Sequence, residues 1–174
     1  MRRRLGWTGF LKTGLILAFV IIAASVLTAK ANAGGPGYSR IEQTENAAVI
    51  QYTNQVAEKY AICPELLQAM VFYESSNKMS AKNGKCIGYM QVSTKYHGGR
   101  ADRLGVSIYD GYGNILTGTD YLMELIEEYD DVAYALDVYN GNSKAKYNHE
   151  NGIISSYAGK ILDLSEKLER HHGK

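Results

Sequence analysis

One carboxylate in this 174-residue chain stands where a carboxylate is out of place. In the stretch PELLQAMVFYES at 64–75, Leu67, Met70 and Val71 form an apolar stripe at helical spacing, and Glu74 falls on that stripe one turn further on. It also lies in the last turn of the helix, where the macrodipole disfavours negative charge. Partial desolvation and the dipole both push its pKa up. A carboxylic acid still protonated near neutral pH can act as a general acid. The plainer alternative is a Glu at the edge of the stripe with its head in water, and periodicity alone does not separate the two. Asp102, Asp110, Asp120 and Asp137 read as surface or helix-face charges. Two Cys and scattered His offer no zinc-ligand spacing, and there is no Walker loop, G-x-S-x-G, HExxH or EF-hand loop. No cofactor or metal is expected.

The elements that must position Glu74 read as helices. From 41 to 60, Val49, Tyr52, Val56 and Tyr60 recur at three- and four-residue spacing. The Glu74 helix starts at Pro64, where a first-turn Pro costs nothing, with Glu65 favourable at the positive end, and it runs to about Ser76. Residues 77–112 are rich in Gly, Asn and Ser around a short apolar piece, CIGYMQV. A third helix is predicted from about Asn114, read as its N-cap, to Tyr129, with Gly118 permitting close packing. A fourth covers about 132–140 and stops at Gly141. The last carries Ile154, Tyr157, Ile161, Leu164 and Leu168 on one face. The fold class is mainly α, a helical bundle around a cleft with a small β or irregular segment. The His171-His172 tail reads as solvated and is assigned nothing.

Composition sets the surroundings. The net charge of +1 hides a split: Arg2, Arg3, Arg4, Lys12 and Lys30 face no acid within residues 1–33, so the remainder carries a net −4. A mildly acidic body argues against a nucleic-acid binder. Fourteen Tyr against 3 Phe and 1 Trp suit half-wet surfaces such as grooves. The basic cluster, a 13-residue apolar run at 15–27 and the small-x-small pattern Ala31-Asn32-Ala33 read as a signal peptide over 1–33, with an uncleaved N-terminal anchor as the alternative. Residues 34–40 then form a flexible lead-in and 41–174 the working domain. Either reading places the body outside the cytoplasm, in the secreted, periplasmic or cell-wall space. In an oxidising compartment Cys63 and Cys86, the only two cysteines, are expected to form a disulfide, with two buried free thiols as the alternative.

Four pieces occur in register: YESS at 73–76, GYMQV at 88–92, NILTGTDYL at 114–122 and VYNG at 138–141, with Tyr157 in the final helix. Together they resemble the soluble lytic transglycosylase (SLT) family, lysozyme-like enzymes that cut peptidoglycan glycan strands. The resemblance covers about 57–165. It implies that Glu74 is the catalytic acid/base, with Ser75 beside it. Gly88, Tyr89, Met90 and Gln91 would line the cleft near the scissile bond, Tyr139 and Asn140 would help position the sugar, and Tyr157 would close the site. Two departures stand out. Tyr89 replaces the usual Leu, offering a stacking surface if it faces sugar, and VYNGN replaces AYNAG. A bond between Cys63 and Cys86, outside the family's general pattern, would tie the start of the Glu74 helix to the residues before the GYMQ strip.

Ordinary glycosidases use two carboxylates, whereas the family pattern supplies one. The resemblance therefore implies that Glu74 protonates the bridging oxygen between N-acetylmuramic acid and N-acetylglucosamine. It then takes the proton from the muramic 6-hydroxyl as that group attacks its own C1, giving a 1,6-anhydro end. An internal nucleophile has a high effective molarity. The alternatives are a goose-type-lysozyme-like hydrolase on the same scaffold and, from another class, a non-catalytic peptidoglycan-binding or assembly module. The implied partner is the glycan strand itself. Such domains also serve envelope-spanning secretion or conjugation machinery, and the expected state is a monomer.

Overall fold

A computed structural model describes residues 38–174; the segment read as a signal peptide and the first residues of the lead-in lie outside them. Eight helices and three very short strands are present among the described residues, in the order α1 Tyr38–Thr44, α2 Ala47–Tyr60, α3 Pro64–Ser75, β1 Lys82–Asn83, β2 Cys86–Ile87, β3 Val92–Ser93, α4 Thr94–Leu104, α5 Gly111–Tyr129, α6 Val132–Tyr139, α7 Ala145–Glu150 and α8 Ser156–His171. The expectation of a mainly α, lysozyme-like fold with a small β element holds. None of the helices described is long and apolar enough to cross a membrane.

The centre of the fold is α3. Residues 65–71 are buried on nearly every face, with Leu67, Ala69, Met70 and Val71 fully enclosed. Each such Leu or Met gains roughly 1.5–3 kcal/mol by leaving water. The helix packs chiefly on α8 and α2, with α1 and α5 completing its surroundings. Over 72–74 it emerges from the core to half-burial, and Glu74 sits at that exit. Ser76 ends the helix in the left-handed conformation, its N–H on the Phe72 carbonyl.

Several boundaries differ from the sequence reading, each for a local reason. The helix predicted over 41–60 is broken in two. Thr44 closes its hydroxyl onto the Ile41 carbonyl at 2.6 Å, and Asn46 caps α2 by accepting from the Val49 N–H at 3.1 Å. The first piece, α1, begins at Tyr38, inside the predicted lead-in. Asn114 is not an N-cap: α5 starts a turn earlier, where Asp110 accepts from the Gly113 N–H at 2.7 Å. Gly113 reads as a breaker in sequence, yet a Cβ there would stand 2.1 Å from the Ser107 carbonyl oxygen, so the close approach of the preceding loop demands it.

Two helices carry little sequence signal. α4 contains Gly98 and Gly99, each costing roughly 1 kcal/mol of helix propensity, and buries only Ala101. It is held from outside: Arg100 pairs with Asp120 at 2.5 Å and Glu124 at 2.7 Å on α5, with its guanidinium over the Tyr121 ring. Asp120 is therefore not a free surface charge; it also accepts from the Tyr60 hydroxyl at 2.7 Å. α7 is only six residues long, too short to show a period.

The strands form an antiparallel sheet in the order β1-β2-β3, with Asn83 opposite Cys86 and Ile87 opposite Val92. Of these six residues only Val92 is buried, and the sheet serves to shape the loop at 88–91.

The expected disulfide is not formed: Cys63 and Cys86 are free thiols. Cys63 is the N-cap residue of α3 and faces Glu65 and Glu169 at 3.1 and 3.4 Å. Cys86 lies in β2 within electrostatic reach of Tyr139, which in turn bears on Glu74 at the other end of α3. The two thiols sit in different parts of the fold, one opening α3 and the other in the sheet.

Candidate active site

Three elements converge where α3 leaves the core. From the start of α8, the Tyr157 hydroxyl donates to Glu74 Oε1. From the end of α6, Tyr139 lies close enough for the Glu74 charge to hinder its ionisation. From the loop after β2 comes the strip 88–91, to which Tyr139 is tied by a 2.9 Å hydrogen bond from its hydroxyl to the Met90 carbonyl. Burial pushes the Glu74 carboxyl above its ordinary value, and the hydrogen bond from Tyr157 only partly offsets this. Burial and the neighbouring carboxylate together push the acidity of both tyrosines far out of the neutral range, so each acts here as a hydroxyl donor and nothing more.

The strip owes its shape to Asn114, fully buried on α5. Its amide donates to the Ile87 and Ile108 carbonyls, both at 3.0 Å, and its oxygen accepts from the Met90 N–H at 2.9 Å. Gly88, at φ +79°, presses against this amide; a Cβ would stand 2.3 Å from Asn114 Nδ2. Gln91 also adopts a positive φ of 47°, and its amide donates back to the Gly88 and Ala81 carbonyls at 3.0 and 3.2 Å. Gly118 lets the strip seat on α5, because a Cβ there would meet the Tyr139 hydroxyl and Met90 at 2.8–2.9 Å.

The predicted site residues therefore divide. Glu74, Tyr139, Tyr157 and the strip backbone come together. Tyr89 is buried, its ring packed beside Tyr52 against Gly111. Met90 is fully enclosed and contributes its backbone. Ser75 is buried, its hydroxyl donating to the Val71 carbonyl at 2.9 Å one turn back. Asn140 is exposed just beyond Tyr139, as the C-cap of α6.

Some residues near the site escaped the sequence reading. Asp137, taken for a helix-face charge, is 2 % exposed and accepts from the Ser155 hydroxyl through one oxygen and from Asn148 Nδ2 at 3.3 Å through the other. Its position two residues before Tyr139 is the one signal that could have found it. Behind Tyr139 runs a row of rings, with Tyr121 at 5.5 Å and His97 a further 4.4 Å on. A hollow of about 220 Å³ opens beside Asp137, Tyr134, His149 and Ile154. Among the described residues no three His, Cys, Asp or Glu side chains gather to hold a metal ion.

A half-open carboxyl with raised proton affinity and one hydroxyl donor can give a proton to a bound oxygen and take one back. Among known protein families, the transglycosylase SLT domain matches residues 51–158, well over half of the chain and the whole of the site from Glu74 to Tyr157. The chain belongs to this family of lysozyme-like transglycosylase domains that act on peptidoglycan.

Proposed function

We propose that the protein is a lytic transglycosylase that cleaves the β-1,4 bond between N-acetylmuramic acid and N-acetylglucosamine, with Glu74 as its single acid/base. Glu74 protonates the leaving glycosidic oxygen; as carboxylate, it then accepts the proton of the muramic 6-hydroxyl while that oxygen bonds to C1. Proton and electron pair balance without water, and the product is a 1,6-anhydro end. Tyr157 keeps the carboxyl oriented in both states, and Tyr139 fixes the strip against which the sugar would lie. Acting on the wall requires export, for which the basic and apolar segment at 1–33 would serve.

What supports this reading is that, among the described residues, no second carboxylate bears on Glu74. Asp137, the carboxylate within electrostatic reach of Tyr157, has both oxygens engaged by Ser155 and Asn148, so an activated water has no base of its own. The test is digestion of purified peptidoglycan with mass analysis of the products. Ends lighter by one water than reducing ends are expected; reducing ends would make the protein a hydrolase. Glu74→Gln should lose cleavage by roughly 10²–10⁴-fold, and clearing at the wild-type rate would remove Glu74 from the chemistry.

A further inference from the structure

Asp137 is a buried carboxylate that the reaction above does not use. Burying a charge is costly unless hydrogen bonds and dipoles compensate, and the partners it has found are all structural parts of the neighbouring helices. Ser155, which donates to it, is the N-cap of α8; the same Ser155 oxygen accepts from the Ala158 N–H at 3.1 Å. The carboxylate thus sits at the positive end of α8. Asn148, its other partner, also holds the incoming chain, since its carbonyl accepts the Ile153 N–H at 2.8 Å. Residues 151–154, which lead into α8, are all exposed, Ile153 and Ile154 included. The segment that leads into α8 is therefore not held by burial, although Ala158 in the first turn is enclosed.

Tyr157 is the second residue of that helix, and Asp137 lies on α6 two residues before Tyr139. One buried side chain therefore joins the two elements that carry the tyrosines on either side of Glu74. We infer that Asp137 is a positioning residue: its carboxylate, through Ser155, holds the first turn of α8 so that Tyr157 keeps its hydroxyl on Glu74. The inference rests on the proposed role of Glu74.

The consequence is a defined pH behaviour. The titratable groups that bear on Glu74 are Tyr157 from α8 and Tyr139 from α6, with Cys86 of β2 beyond Tyr139. Of these, Tyr157 is the hydrogen-bond donor that favours the ionised carboxylate. Loosening it leaves Glu74 protonated to higher pH, so the alkaline limb of the rate profile moves up. A direct effect of removing the Asp137 charge would move it down, because a nearby negative charge opposes ionisation.

The experiment measures clearing of purified peptidoglycan against pH for wild type, Asp137→Asn, Tyr157→Phe and the double variant. Asp137→Asn is expected to slow clearing about tenfold through misplacement of a working group and to move the alkaline limb upward. In the Tyr157→Phe background it should move the limb no further. An unshifted or lowered limb in Asp137→Asn overturns the inference, as does a second, independent shift on top of Tyr157→Phe. Should Asp137→Asn fail to fold, Ser155→Ala and Ser155→Thr decide the matter. Loss of the hydroxyl should raise the limb and its retention should keep the wild-type profile, whereas identical profiles for the two overturn the inference. A wild-type protein that does not cut the glycan would instead defeat the functional reading itself.

Discussion

Two glutamates nine residues apart on α3 show opposite answers to the same burial problem. Glu65, in the first turn, is 1 % exposed. Lys174 reaches its two oxygens at 2.8 and 3.0 Å, His172 lies at 2.8 Å, and the Cys63 thiol donates at 3.1 Å. Burial alone would raise its pKa, but Lys174, His172 and Cys63 outweigh it and bring the value down to about 2. Glu74, in the last turn, has the neutral donor Tyr157 and, among the described residues, no cation paired with it, and burial wins. The helix dipole acts in the same sense at both ends, favouring charge on Glu65 and opposing it on Glu74. Burial does not by itself make an acid; what decides is how many donors and cations accompany it. One end of α3 is built to hold a charge and the other to release one.

The sharpest way to break this contrast is to neutralise each glutamate in turn. Glu74→Gln should cost about 10³-fold in wall clearing while the fold stands. Glu65→Gln should keep most of the activity at 25 °C. Equal losses in the two variants would dissolve the distinction between a chemical and a structural carboxyl.

Stability against pH gives a smaller and opposite pair of effects. The folded-state pKa of Glu65 is lowered, so its contribution is present above about 4.5 and lost as pH falls toward 2. The shift corresponds to about 3 kcal/mol, and screening at the half-exposed Lys174 reduces this to about 2 kcal/mol. Denaturant melts of Glu65→Gln should show that loss at pH 7 and little of it near pH 2. For Glu74 the folded pKa is raised, so its stabilising contribution is complete below about 4.5 and lost as pH rises. Glu74→Gln should therefore be no less stable than wild type at pH 7. A loss at pH 7 in Glu74→Gln, matching that of Glu65→Gln, would show that Glu74 too is held by its partners.

Much of this contrast was legible in the sequence. The apolar period placed Glu74 at the emerging end of a buried helix, Pro64 and Glu65 marked the other end, and four short motifs pointed to the family. What was not legible depends on contacts between residues far apart in the chain. The tail read as solvated, yet His172 and Lys174 fold back onto Glu65, 107 and 109 residues earlier. Asn114 looked like a helix start because its true work, binding the backbone of Ile87, Met90 and Ile108, needs a loop 24 residues away. α4 was hidden because it is fastened by Arg100 rather than by an apolar face. Asp137 was misjudged because nothing local distinguishes a buried carboxylate from a solvated one when its partners lie on other helices.

The cysteines give the smallest expected effect and the last check on the Glu65 end. A disulfide removed from a small domain typically costs about 2–5 kcal/mol. Cys63 here is a free thiol pushed up to about 12, by burial first and then by the Glu65 it donates to. Cys63→Ser keeps a donor toward Glu65 and crosses no covalent link, so it should cost less than about 1 kcal/mol in a denaturant melt. The protein purified without reductant should titrate two thiols on unfolding. In the native state Cys63 should react with a disulfide reagent on the order of 10³-fold more slowly than a free thiol, because so little thiolate is present. Glu65→Gln should accelerate that reaction, since one of the two carboxylates that hold the thiol protonated is gone. An unchanged rate would mean that burial and Glu169 suffice to quiet Cys63, and that the Glu65 charge does not reach the thiol.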